Sequence, residues 1–222
     1  MNNEELVRIL DQITIASEFA PFIPVLVALL RWKHLSPAQR AFGLVVMLIF
    51  VNQMAAKAWY EWFELSNIPF YYSYFFIEMP GILLLYRWRF RTHTIARIIP
   101  WVVVVLLLFT ILNGLFLQGW YRFPTYSRSA QAVVMVLTAL FYFRLVFKER
   151  KVRHLDRSFW FWISAGLLLY FTCNLLMFMF TNWLMEKEDE LFVAVWAIHA
   201  VLNFVLYGRY ALGLLCKDQE SS

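Results

Sequence analysis

Four ionisable side chains lie inside otherwise apolar stretches of this sequence, and any chemistry of the chain would start from Glu18, Lys57, Glu78 and His199. A charged group at the centre of a lipid bilayer costs roughly 3 kcal/mol, so such residues normally face a bundle interior or a water-filled cavity. Carboxylate, ammonium and imidazole groups can bind a small polar ligand or exchange protons. We therefore expect these residues to mark a binding site.

Glu78 is the most conspicuous of the four, because it interrupts the apolar segment YFFIEMPGILLLYRW at residues 74–88. Near the middle of a membrane span a carboxyl group has to be protonated, paired or hydrated. Pro80 lacks a backbone donor and frees a carbonyl about one turn earlier, near Phe76, which predicts a kink beside Glu78. Pro21 predicts a similar bend beside Glu18. Both acids thus lie next to points where the backbone can bend.

Polar amides accompany the ionisable residues. Asn52 and Asn174 either hydrogen-bond between helices, as amides in membrane proteins do, or belong to the same site. Lys57 could reach the outer interface along its own stem, or it could pair with Glu18. His199 could be a core histidine whose ring nitrogens are satisfied. We assign six residues to a candidate ligand-binding site: Glu18, Asn52, Lys57, Glu78, Asn174 and His199.

Apolar runs long enough to cross a membrane position these residues. Of the 222 residues, 62% are hydrophobic and 16% are charged, which is far outside the usual composition of soluble domains. A helical span needs about 20 predominantly apolar residues. Seven such runs occur, at about 13–30, 41–60, 69–86, 98–118, 126–147, 159–181 and 191–214. We therefore predict an all-α polytopic membrane protein that forms one seven-helix domain over residues 1–222.

Basic residues are concentrated in alternate connections between the spans. The first, third and fifth connections and the C-terminal end hold 15 of the 20 lysines and arginines, whereas the other side holds only Arg8, Arg122, Arg128 and Lys187. Basic loops tend to stay in the cytoplasm, so we expect the N-terminus outside and the C-terminus inside. The pI near 9.3 then reflects this bias and not nucleic-acid binding. On this topology the polar residues lie between the midplane and the outer surface, as an outward-facing cavity requires.

The third and seventh spans resemble each other. The segment FFIEMPGILLLYRW (75–88) aligns with WAIHAVLNFVLYGRY (196–210), which places His199 at the position of Glu78. Asn52 precedes Glu78 by 26 residues and Asn174 precedes His199 by 25, so the second and sixth spans correspond as well. Three spans, a connecting fourth and three more would form a parallel 3+1+3 repeat. The alternative is chance similarity among Leu-rich helices, because the identities are few.

Motifs of known catalytic and cofactor sites do not occur in the sequence. No second intramembrane histidine accompanies His199, as a bis-histidine haem site would need, and the seventh span has no lysine for a retinal Schiff base. HExxH and GxSxG are absent. Cys173 and Cys216 fall at different depths, so we expect no disulfide between them. We accordingly expect no enzyme activity, no metal and no cofactor.

The segments FWFWISAGLLLYFTCN and WAIHAVLNFVLY of the sixth and seventh spans, with the isolated Ile-Glu of the third, resemble a family of small bacterial seven-helix integral membrane proteins. The resemblance covers most of the chain. It implies a multi-pass protein of the bacterial inner membrane with a sensory or accessory role beside signalling kinases. Its motifs are structural, so it brings no substrate and no functional residues with it.

Together these patterns predict a non-catalytic sensor or receptor-like protein. A small molecule or a proton would enter the outward-facing cavity, where Glu78 and His199 would form a charge-sensitive pair. Binding would shift the third span against the seventh and reach a cytoplasmic or membrane signalling partner through the basic loops. Two alternatives stay open: a 3+1+3 transporter of a small solute, and a structural or assembly subunit of a membrane complex. Membrane lipids are the only other partners that we expect, and nucleic acid is not one.

Overall fold

A computed structural model describes residues 3–149, 155–187 and 189–216, and the regular structure in these ranges is helical throughout. The helices are α1 (Asn3–Ser17), α2 (Phe22–Arg31), α3 (Pro37–Phe63), α4 (Ile68–Arg89), α5 (Ile95–Leu112), α6 (Thr125–Glu149), α7 (Phe159–Lys187) and α8 (Asp189–Leu215). Seven segments of the described chain are long and apolar enough to cross a membrane. The prediction of an all-α chain with seven candidate spans is confirmed. Its orientation and the internal repeat stay predictions.

The first span differs from the single helix predicted at 13–30. α1 and α2 are separated by a turn at 18–21, in which the backbone N–H groups of Glu18, Phe19 and Ala20 bond to carbonyls three residues earlier. Pro21 has no N–H and its ring crowds the preceding turn, which disfavours a continuous helix, and α1 ends before it at Ser17. The break therefore leaves Glu18 at the end of a helix instead of within one.

The ends of the other helices also have local causes. α3 begins at a capping box, in which the Ser36 hydroxyl accepts from the Gln39 N–H and the Gln39 amide oxygen accepts from the Ser36 N–H. It ends at Phe63, and the next residue, Glu64, adopts a left-handed φ of 53°. α5 continues into a π-helical turn, Asn113–Leu117, which closes near Gly119 with a φ of 80°. A glycine suits that position because a left-handed backbone strains other residues.

The spans form a closed ring in chain order. Each helix from α2 to α8 contacts the next one, α8 returns to contact both α1 and α2, and α4 also contacts α6. Close packing of α4 on α3 depends on Gly81, since a Cβ built there would lie 2.8 Å from both γ carbons of Val45. α4 runs without interruption through Pro80. α4 therefore contacts α3, α5 and α6, and so it is well placed to carry a central residue such as Glu78.

Hydrogen bonds join the helices at the end of the bundle that carries most of the basic connections. Gln39 Nε2 donates to the carbonyl oxygens of Gly213 at 3.2 Å and Cys216 at 2.9 Å. Arg31 Nη1 donates to the carbonyl oxygen of Leu214 at 3.2 Å. The last carbonyls of a helix lack intrahelical partners, so these side chains of α2 and α3 fasten the end of α8.

Candidate functional site

A cavity of about 120 Å³ lies between six of the seven spans. Side chains of α1, the turn at 18–21, α3, α4, α6, α7 and α8 form its wall, and α5 contributes none of the lining residues. The cavity reaches from Asn67, which precedes α4, to Tyr207 in the second half of α8. Its volume equals that of about four water molecules in the liquid, so it suits water or a molecule of a few heavy atoms.

Four of the six predicted site residues line this cavity: Glu18, Asn52, Lys57 and His199. The other two, Glu78 and Asn174, lie behind the wall, where each is bonded to a residue that lines it. The structure thus brings the six residues into one region but into two layers. Among the described residues, Glu78 and His199 bond to different partners and not to each other.

Glu78 is fully buried and is bonded on both carboxylate oxygens. Oε2 accepts from Arg128 Nη1 at 3.0 Å and from Gln131 Nε2 at 2.7 Å. Oε1 accepts from the Tyr74 hydroxyl at 3.1 Å, and the Tyr207 hydroxyl lies 2.9 Å from that of Tyr74. Tyr74 precedes Glu78 by one turn of α4, and Arg128 precedes Gln131 by one turn of α6, so each pair shares a helix face. The acid is therefore half of a buried salt bridge between α4 and α6.

Arg128 is the site residue that the sequence reasoning missed, because it was predicted only to be an outer-side charge. Its side chain is 4% exposed. The guanidinium carbon lies 5.1 Å from the ring centroid of Tyr74 and 4.8 Å from that of Phe178, and Nη1 also donates to Gln131 Oε1 at 2.7 Å. The signal for it was available: Arg128 is the third residue of the span predicted at 126–147, and an arginine within a span requires a partner.

The guanidinium of Arg128 is only partly satisfied by the protein. Both of its described hydrogen bonds are made by Nη1, and Nε is buried without a hydrogen-bond partner in the part of the chain that the structure describes. Arginine carries five N–H donors and no acceptor, so each unmet position calls for an acceptor atom. Because Arg128 also lines the cavity, its remaining donor capacity lies next to the space that a ligand would occupy.

His199 is held by two amides. Its Nδ1 lies 2.9 Å from Asn174 Oδ1, and the Nδ2 of Asn174 donates to the Tyr170 carbonyl at 2.9 Å, which leaves the amide oxygen facing the ring. Nε2 lies 3.2 Å from Asn203 Nδ2. This pattern fits a neutral imidazole with its proton on Nδ1, because Nε2 then accepts from the Asn203 amide. The Trp196 ring lies 5.0 Å from the imidazole. His199 is thus a satisfied residue that also forms part of the cavity wall.

Lys57 and Glu18 form an ion pair at the side of the cavity. Lys57 Nζ lies 2.8 Å from Glu18 Oε2 and 3.3 Å from Glu61 Oε1. The structure shows pairing, the second of the two explanations considered for Lys57. Since the two side chains are 25% and 30% exposed, the pair contributes roughly 1 kcal/mol or less to stability. It does connect α3 to the break between α1 and α2.

Asn52 bonds α3 to α4 and also lines the cavity. Its Nδ2 donates to the Phe70 carbonyl at 3.2 Å, and its Oδ1 accepts from the Ser73 hydroxyl. This amide therefore bonds between helices and also lines the cavity; its part in ligand binding stays a prediction. The same holds for Asn174 only in part, because it contacts the cavity through His199.

The resulting site is polar, partly aromatic and internally neutralised. Its four charges form two ion pairs, Glu18 with Lys57 and Glu78 with Arg128. Within the described residues, no group of three His, Cys, Asp or Glu side chains is placed to hold a metal ion. The arrangement can bind a small polar molecule and can couple its presence to the contact between α4 and α6.

Comparison with protein families, with curated proteins and with solved structures found no match for this chain.

Proposed function

We propose that this chain is a non-catalytic sensor or receptor-like protein of the bacterial inner membrane that binds a small ligand in the cavity. The cavity opens outward, and the bound state is passed through the basic cytoplasmic loops to a signalling partner. The single observation that carries the proposal is the buried pair, 3.0 Å apart, between Arg128 in the cavity wall and Glu78 behind it. A salt bridge of this kind is costly to bury and contributes little net stability, so it supports a role in binding or switching.

The path from the ligand to the loops follows from the contacts of the wall. A ligand that binds beside Arg128 would alter the salt bridge between Arg128 on α6 and Glu78 on α4. The hydroxyl groups of Tyr74 and Tyr207 connect Glu78 further to α8. At the other end of α8, Gln39 and Arg31 bond to its last carbonyls. A displacement of α8 is therefore transmitted to the connections beside α2 and α3. Among the exposed basic residues at that end are Lys33, Arg40, Arg87, Arg91 and Arg97.

The test separates binding from transport in purified protein. We expect a small-molecule screen in detergent to find compounds that raise the melting temperature, while proteoliposomes show no flux of the same compounds. Ala56 lines the cavity on α3, so Ala56→Leu should abolish the shift by filling the space. Ala55→Leu is the matched control, because Ala55 is exposed on the same helix and is not among the lining residues. A shift that survives Ala56→Leu would contradict binding in this cavity.

A transporter of a small solute is the second candidate, and a row of buried hydroxyls beyond the cavity favours it. Tyr207 is followed on α8 by Tyr210, whose hydroxyl is buried without a hydrogen-bond partner among the described residues. Further along, the Tyr86 hydroxyl bonds to the Ser164 hydroxyl. Such groups could hydrate a pathway when the bundle opens. Flux in proteoliposomes that Ala56→Leu abolishes would decide for this function. If there is neither flux nor binding and the chain co-purifies stoichiometrically with other membrane proteins, the role is that of a complex subunit.

A further inference from the structure

We propose that the cavity binds a small carboxylate anion, with Arg128 as its anchor and with Glu78 and Gln131 as the residues that position the guanidinium. This inference rests on the proposed function, since it names the ligand class of the same site. The Arg128 guanidinium in the cavity wall has hydrogen-bond donors that the described residues do not satisfy. The carboxylate would share Arg128 with Glu78, which is its resident counter-ion.

The donor balance of the site selects an acceptor as the ligand's polar group. Nη1 of Arg128 is committed to Glu78 and Gln131, whereas Nε is buried without a partner among the described residues. A guanidinium offers donors only, and its planar fork matches the two oxygens of a carboxylate. An amine or another donor-only ligand would leave these positions unmet. The group next to Arg128 must therefore accept hydrogen bonds.

The surroundings of Arg128 also suit an acceptor group better than a cation. Each carboxylate near the cavity is already engaged: Glu18 and Glu61 with Lys57, and Glu78 with Arg128. Arg128 lies in the first turn of α6, at the positive end of the helix dipole. Glu78 therefore faces both the guanidinium charge and the positive end of the helix. The rings of Tyr74 and Phe178 hold the guanidinium from its sides. A second carboxylate beside Arg128 could therefore accept hydrogen bonds from the guanidinium, whereas a cation could not.

The size of the cavity and its remaining wall suit a short carboxylate. A cavity of about 120 Å³ is smaller than the roughly 150 Å³ that accommodates benzene. The aromatic surfaces of Tyr71 and Trp196 in the wall can contact a short hydrocarbon chain, while Asn203 supplies a polar group near His199. Acetate, propionate and lactate fit this space.

The experiment compares ligands of equal shape and different charge on the intact protein in detergent. Propionate is titrated against propionamide and propylammonium at constant ionic strength, with the melting temperature and isothermal calorimetry as readouts. We expect saturable binding of propionate only. Arg128→Gln should weaken it by at least about tenfold, the usual loss for a charged hydrogen bond. Arg122→Gln is the matched control, since Arg122 is exposed on the same side, and it should leave the affinity unchanged.

Every outcome decides between the ligand classes. Equal effects of propionate and propionamide, stabilisation by propylammonium, binding of inorganic phosphate in place of carboxylates, or unchanged affinity in Arg128→Gln would each overturn the proposal. If Arg128→Gln does not fold, Ala56→Leu replaces it, because that variant keeps the arginine and must still lose propionate. Should another class of compound bind in a manner sensitive to Ala56→Leu, the proposed function stands and the carboxylate assignment fails. If no compound binds, both fail.

Discussion

Replacing Glu78 by Gln should be among the most destabilising single changes in this chain. The change leaves Arg128 positively charged at 4% side-chain exposure without its counter-ion. It also exchanges an oxygen that accepts from both Arg128 and Gln131 for an amide. Breaking a buried pair by removing one partner costs about 3 to 5 kcal/mol, because the remaining charge is uncompensated. We expect a loss of that size in the free energy of unfolding.

The measurement is reversible unfolding by SDS in mixed micelles, followed by circular dichroism. Glu186→Gln is the control: Glu186 is 61% exposed and lies 3.7 Å from Arg122, so its removal should cost roughly 1 kcal/mol or less. Combining Glu78→Gln with Arg128→Gln removes both charges at once. This double variant should therefore be more stable than the sum of the single losses predicts, by about 1 to 3 kcal/mol. A near-neutral Glu78→Gln, or strictly additive losses, would refute the salt bridge as described.

Three further predictions concern other parts of the bundle. In the same SDS unfolding assay, Gly81→Ala should lower the free energy of unfolding by about 1 to 3 kcal/mol, because the added methyl group overpacks against Val45. Adding Val45→Ala should restore much of that loss. Gly208→Ala is the control: a Cβ there meets no atom within 4 Å, so the change should be neutral or mildly stabilising. Gln39→Ala should lose about 1 to 2 kcal/mol and speed amide hydrogen exchange in the last turn of α8, an effect that would be absent if the two carbonyl bonds did not form. Burial, with a smaller contribution from a nearby aspartate, raises the pKa of the Cys216 thiol. In a variant that lacks the other cysteine, a charged maleimide should therefore react slowly at pH 7, faster as the pH rises, and only from the cytoplasmic side. Fast labelling at pH 7, or labelling from outside, would contradict this.

The number and class of the helices could be predicted from the sequence because each depends on local composition. A segment such as 159–181 is apolar over a length that crosses a bilayer, and its backbone groups have to be satisfied within the segment. The break in the first span was foreshadowed by Pro21, although a single helix was predicted there. Its position at 18–21 is defined by the carbonyls to which the turn residues bond, and the helices on both sides of it contact α8.

The site was predicted in part. Glu18, Asn52, Lys57 and His199 stood out because polar groups in apolar runs are costly, and they do line the cavity. The partner of Glu78 did not stand out, since Arg128 is 50 residues away along the chain and lies at the edge of its span. The pairing of Glu78 with His199 was inferred from aligned positions in two spans. In the structure each of the two is bonded within its own set of neighbours.

The sequence by itself determined that this is a chain of seven candidate membrane helices with costly polar groups inside them, because hydropathy and burial cost are properties of local segments. Only the tertiary structure decided which of those groups meet. It made Glu78 a counter-ion behind the wall, placed His199 in the wall, and brought Arg128 beside the cavity. The physical reason is that a salt bridge between α4 and α6 depends on how the helices are rotated and packed, and no local pattern of residues specifies that rotation.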